Sequence, residues 1–247
     1  MKRNLILLLI LFSATSLYAH DWNVNVGPHF NYMRLKFDEP DHVDGYTAGI
    51  TTGIEYNHSC FAANLDFEGT WDTNYLRGDN CQKSSIEEYF LELKIGPQFT
   101  CLCDNLLLSP YIGFGWHRFL NEQYPDTISL CYRYDKLFIP VGFSLDYCLF
   151  PFIESSLQFE WRPDVYSKLQ IDSTQVDTNK EHAFRLQIPF NFHFGSPCQN
   201  FSLAVVPFYD WTRFGHVEER HSSGASLDIP CLTRWSFGLR TILGYHF

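Results

Sequence analysis

The chain has 247 residues, 28 acidic against 18 basic side chains, a formal charge of −10 and a mean hydropathy of −0.17. The acidic balance argues against a nucleic-acid surface, which needs clustered basic groups. The polarity argues against a bundle of membrane helices, since no stretch of 18 apolar residues follows the first twenty positions. Any membrane insertion must therefore use strands.

Lys2 and Arg3 precede an apolar run from Leu5 to Phe12, and Ser13, Ala14, Thr15 and Ser16 lead on to Ala19. This pattern predicts a secretory signal peptide over residues 1–19, cut before His20, although Leu17 stands where a small residue is preferred. The run is far shorter than the roughly 20 residues a membrane-crossing helix needs. No Cys follows the cut, so a lipid anchor is not expected there. Removing the segment leaves 16 basic against 28 acidic residues, a charge of −12. The remainder, 20–247, fits one all-β domain, with no linker, repeat or low-complexity stretch to divide it.

Period-2 alternation predicts ten strands: Trp22 to Lys36, Tyr46 to Tyr56, Phe61 to Trp71, Ile86 to Phe99, Pro110 to Phe119, Leu137 to Leu149, Ile153 to Arg162, His182 to Phe194, Phe201 to Thr212 and Leu232 to Phe247. Most reach ten residues or more, the length of a tilted membrane-spanning strand; strands of soluble domains usually run about 5 to 6. In the sixth, Leu137, Ile139, Val141, Phe143, Leu145, Tyr147 and Leu149 share a face opposite Pro140, Gly142, Ser144 and Asp146. In the last, Phe247, Tyr245, Leu243, Leu239, Phe237 and Trp235 back His246, Gly244, Ile242, Arg240, Gly238 and Ser236.

Short connections near Asn57 to Cys60, Thr100 to Ser109, Phe150 to Phe152 and Gly195 to Asn200 alternate with longer ones near Phe37 to Gly45, Asp72 to Ser85, Leu120 to Lys136, Pro163 to Glu181 and Arg213 to Cys231. With this alternation, an export signal and a terminal aromatic strand, the chain resembles Gram-negative outer-membrane β-barrels. The resemblance implies a closed antiparallel up-and-down transmembrane barrel of about ten strands, eight being possible, with both termini in the periplasm. It also implies that Phe247, Tyr245 and Leu243 form the signal read by the barrel-assembly machinery. Trp71, Trp116, Trp161, Trp211 and Trp235 then fall near the outer ends of their strands. Trp22, Tyr56, Tyr147, Tyr245 and Phe247 fall at the periplasmic ends, giving two aromatic girdles.

In that frame the lumen receives Glu55, Asp66, Glu68, Glu88, Glu92, Lys94, Asp146, Glu154, Glu160, Arg185, Asp210 and Arg240. Buried charges must be paired or hydrated, so Lys94, Arg185 and Arg240 are expected to neutralise carboxylates, with Glu160 and Arg185 the leading pair. Arg34 and Lys36 break the lipid-facing stripe at the outer end of the first strand, where lipopolysaccharide phosphates would meet them.

Eight cysteines divide unevenly. Cys60, Cys101, Cys103, Cys148 and Cys198 fall on the periplasmic side, and Cys81, Cys131 and Cys231 fall outside. No disulfide spans the roughly 25 Å apolar band, so each odd set leaves one Cys without an intramolecular partner. Cys81 with Cys131 is the natural external pair. Cross-linking to other envelope proteins is the alternative, and it resembles the cysteine-rich outer membranes of certain obligate intracellular bacteria. Cys101, Cys103 and Asp104 match no zinc spacing. Catalytic signals are weak: the Asp-x-His element of omptin proteases is absent, and the His-x-Ser of lipid hydrolases occurs only as His221, Ser222 and Ser223 in a polar loop. The expectation is thus a non-enzymatic outer-membrane barrel, without cofactor or metal, acting structurally or through surface contacts of its external loops. A narrow, cation-preferring porin-like channel is the alternative, and an outer-membrane hydrolase comes third.

Overall fold

In the computed structural model the described residues are 22–37, 42–58, 60–73, 76–78, 83–101, 106–124, 130–150, 152–171, 174–194, 200–215, 217–220, 226–229 and 231–247. The segment 1–19, Cys81, Cys103, Asp104, Cys198 and the His221, Ser222 and Ser223 stretch lie outside them. The chain runs through β1 (Trp22–Phe37), β2 (His42–His58), β3 (Phe61–Asp72), β4 (Leu76–Gly78), β5 (Lys83–Pro97), β6 (Phe99–Cys101) and β7 (Leu106–Tyr124). It continues through β8 (Leu130–Phe138), β9 (Val141–Phe150), β10 (Ile153–Ile171), β11 (Thr174–Asp177), β12 (His182–Gln187) and β13 (Phe190–His193). The last elements are β14 (Phe201–Phe214), β15 (Val217–Arg220), β16 (Ser226–Ile229) and β17 (Leu232–His246).

These strands build ten antiparallel spans closed into a barrel, because β17 pairs with both β14 and β1. β8 with β9 make the sixth span, and β12 with β13 make the eighth. Both interruptions fall at a proline, Pro140 and Pro189, which has no N–H to give the ladder. Their carbonyls still accept, from Gly113 N at 2.9 Å and Ser156 N at 2.9 Å, so the wall stays sealed. Trp22 and Phe247 meet at one rim, where Phe247 N donates to Trp22 O at 2.9 Å. We call this rim the terminal end and the opposite one the loop end.

Outward side chains form an apolar belt that includes Phe30, Ile50, Leu65, Leu93, Ile112, Phe114, Leu239 and Leu243, all exposed. A soluble protein would bury such a surface. Toward the loop end one lateral register row reads Trp161, Phe184, Trp211 and Trp235, with Arg34 next to it. At the terminal end Trp22 packs on Tyr56, and Tyr245 on Phe247, each with ring centroids 4.9 Å apart.

Several strands run beyond their expected limits. β2 begins at His42 rather than Tyr46, β7 ends at Tyr124 rather than Phe119, β8 begins at Leu130 rather than Leu137, and β10 ends at Ile171 rather than Arg162. Much of the expected loops Leu120 to Lys136 and Pro163 to Glu181 is therefore sheet. The reason is apolar burial: Phe119, Tyr134, Leu169 and Val176 turn inward and pack with Met33, Leu35, Val43, Leu76, Ile86, Phe214 and Leu232. A bulge between Asp164 and Tyr166 makes this possible in β10. Below it the even residues Glu160, Arg162 and Asp164 are buried, and above it the odd residues Ser167 and Leu169 are.

Candidate functional site

The barrel interior is the candidate site, and it is stacked in three layers. At the loop end, the apolar cluster around Phe119, Tyr134 and Phe214 fills the interior, with Phe214 centred 5.0 Å from Phe119 and 4.6 Å from Tyr134. Each is nearly inaccessible to solvent.

The middle layer is ionic. Six carboxylates (Glu68, Glu88, Glu92, Glu160, Asp164 and Asp210) meet six cations (Lys94, Lys136, Arg162, Arg185, Arg234 and Arg240). Strand register sets the pairings. Glu160, Arg185 and Asp210 occupy one cross-strand row of β10, β12 and β14. Arg185 grips Asp210 with two bonds, Nε to Oδ1 at 2.6 Å and Nη2 to Oδ2 at 2.9 Å, and reaches Glu68 at 3.2 Å. The expected partner Glu160 is held instead by Arg162, by Tyr111 Oη at 3.0 Å and by Lys94 at 3.6 Å. Arg162 lies two residues along the same strand, and its Nη2 also meets Glu92 at 2.5 Å.

Phe90 sits at the centre of this layer. The guanidinium groups of Arg162, Arg185 and Arg234 lie 5.2, 5.3 and 5.8 Å from its ring, and His117 stacks on it at 4.0 Å. His117 Nε2 lies 2.8 Å from Glu88, whose other oxygen takes Arg234. Lys136 donates to Asp164 at 2.6 Å and to the Arg213 carbonyl at 2.7 Å. Each charge in the layer lies against an opposite one, while Glu92 Oε1, Arg162 Nη2, Arg234 Nε and Arg240 Nε have no hydrogen-bond partner among the described residues.

Below it, a cavity of about 640 Å³ opens toward the terminal end. Its wall carries Glu55, Asp66, Asp146 and Glu154, with Lys94 and Arg240 at its inner limit. Asp66 pairs with Lys94 at 3.0 Å and Glu154 with His193 at 3.3 Å. Asn23 Nδ2 donates to Glu55 at 3.4 Å, and Ser144 Oγ to Asp146 at 2.6 Å.

Of the charged residues assigned to the lumen from the sequence, Glu68, Glu88, Glu92, Lys94, Glu160, Arg185, Asp210 and Arg240 lie in the ionic layer, and Glu55, Asp66, Asp146 and Glu154 line the cavity. Those that sequence reasoning missed are Lys136, Arg162, Asp164, Arg234, His29 and His117. The signal for three of them was present: Arg162 and Asp164 continue the even-numbered inward face of Glu154 and Glu160, and Arg234 continues that of Arg240.

Cys60 and Cys148 are exposed toward the terminal end, and Cys101 closes β6 there. Cys131 and Cys231 lie toward the loop end, where Arg213 Nη2 approaches Cys231 Sγ at 3.4 Å. No disulfide joins two described cysteines. No group of three metal-ligating side chains converges among the described residues. Ser202 Oγ and His246 Nε2 approach to 3.1 Å at the rim, but no described carboxylate is hydrogen-bonded to His246.

No protein-family model matches the sequence, and no curated protein matches it. Solved structures do. The outer-membrane protease OmpT of Escherichia coli aligns over 92% of this chain and 97% of its own, with 11% identity and a TM-score of 0.63. The translocator domain of the autotransporter NalP from Neisseria meningitidis aligns over 100% and 95%, with 9% identity and a TM-score of 0.48. At these identities the likeness concerns architecture alone. The chain has the fold of the outer-membrane β-barrels, with ten spans.

Proposed function

We propose that the chain is an integral outer-membrane protein with a non-enzymatic, structural or surface-contact role, its termini in the periplasm and its loop end outward. The observation that carries this reading is the occluded interior, where an apolar cluster above a neutral ion-paired layer leaves no through-path for solute among the described residues. Work is then left to the surfaces. Arg34 and Lys36, exposed beside the aromatic row, suit the phosphates of lipopolysaccharide. The stripe Leu243, Tyr245 and Phe247 suits the barrel-assembly machinery. The exposed Cys60 and Cys148 suit disulfide exchange with other envelope proteins.

Trypsin added to intact cells tests the orientation and the surface role together. Cleavage at Arg220, in the β15–β16 hairpin, with the barrel core surviving is the expected result. Protection of that hairpin until the cells are broken would reverse the topology. A narrow cation-preferring channel is the second reading, favoured by the acidic wall of the terminal-end cavity. It requires the ion layer to part.

A further inference from the structure

The terminal-end cavity is blind, acidic and rich in unused acceptors. Glu55 on β2 has Asn23 of β1 and Asn64 of β3 as its register partners. Asn23 is 8% exposed, and its Oδ1 has no hydrogen-bond partner; nor does the buried Oδ1 of Asn64. Glu55 accepts from the side chains of Asn57 and Asn23, the latter at a long 3.4 Å, and the orphaned carbonyl oxygens of Asn23 and Asn64 belong to the strands on either side of it. On the opposite wall Asp146 of β9 accepts from Ser144 at 2.6 Å and, among the described residues, from no other side chain. Among the described residues no cation pairs with Glu55 or Asp146, whereas Lys94 and Arg240 are committed to carboxylates elsewhere.

A carboxylate with no cation and two carbonyl oxygens with no donor call for a guest made of donors. A primary ammonium brings three N–H groups and no acceptor, which matches the Asn23, Glu55 and Asn64 triad. A divalent metal ion is a poorer match, since its ligands must converge on one point and no such group forms among the described residues. Acidic groups on facing walls suit a guest with charges at both ends of a flexible chain. The volume, about 640 Å³, falls within the usual range for small-molecule sites. We propose that this cavity binds a small linear oligoamine, one ammonium seated at Asn23, Glu55 and Asn64 and another drawn to Asp146. Among the described residues, entry and exit are through the terminal end. The proposal does not depend on which side of a membrane that end faces.

Calorimetric titration of the purified, detergent-folded barrel with spermidine tests it, in parallel with Mg²⁺ as a compact cation of comparable charge. Saturable spermidine binding is expected, weakened roughly tenfold by Glu55→Gln and again by Asp146→Asn. Mg²⁺ in the same concentration range should not displace it. Both variants must keep the wild-type difference in gel migration between boiled and unboiled samples, which separates loss of binding from loss of fold. Absence of saturable spermidine binding, equal affinity in folded Glu55→Gln and Asp146→Asn barrels, or displacement by equimolar Mg²⁺ would each overturn the proposal.

Discussion

Arg185 shows how one side chain can fix the interior. Its guanidinium serves Asp210 and Glu68 at once, so truncation leaves Asp210 only Arg234 at 3.8 Å and Glu68 only Arg240 at 2.9 Å as close guanidinium partners in a site with almost no solvent. Arg185→Ala should cost about 3–5 kcal/mol, read as a lower midpoint in urea or heat for loss of the fast-migrating folded band. Glu154→Gln removes a pair whose side chains are 42% and 49% exposed, and should change stability by less than about 1 kcal/mol in the same assay. Gly115 carries a different constraint. A Cβ there would strike the ring of the buried Phe138, so Gly115→Val should destabilise by about 1–3 kcal/mol through overpacking, with Gly115→Ala intermediate.

At the scale of elements, the sequence was most legible where alternation was strict. The ten spans, the outward stripe of β17 and the inward charges all follow from period 2, because each strand has one face in an apolar medium. Legibility failed in two places. The interior is apolar toward the loop end, so stretches such as residues 130–136 lost the in–out contrast that marks a membrane strand and read as loop. The bulge in β10 also shifts the phase, and no residue pattern announces it. That bulge is open to test: Val165 is the extra residue, and deleting it would leave Asp164, Ser167 and Leu169 on one continuous inward face. The folded band should therefore survive the deletion, and its loss would contradict this assignment of the bulge. Among the described residues the β15–β16 hairpin pairs only with itself, so replacing residues 216–230 by a short turn should leave the band and its midpoint intact.

At the scale of the molecule, the barrel is longer than a bilayer is thick. β7 and β10 each hold 19 residues, roughly 60 Å of strand, whereas about 9–11 residues suffice to cross. The excess lies toward the loop end and holds the apolar cluster, a packed core of the kind found in soluble proteins, carried on a membrane barrel. The ionic layer beneath it adds little net stability after desolvation, but it makes the closed arrangement specific, since any other pairing leaves a buried charge unmatched. Ten spans sit between barrels that side chains fill and barrels that enclose a water channel, and here the side chains fill two of three layers. What remains open is a blind cavity.

The occluded interior is therefore the central claim, and planar-bilayer recording of the purified barrel tests it most directly. Insertion of the wild-type protein should give no steady conductance step at moderate voltage, while a barrel with Phe119, Tyr134 and Phe214 changed to Ala and Arg162 changed to Ser should give measurable steps. A stable, cation-selective step from the wild-type protein would contradict the account.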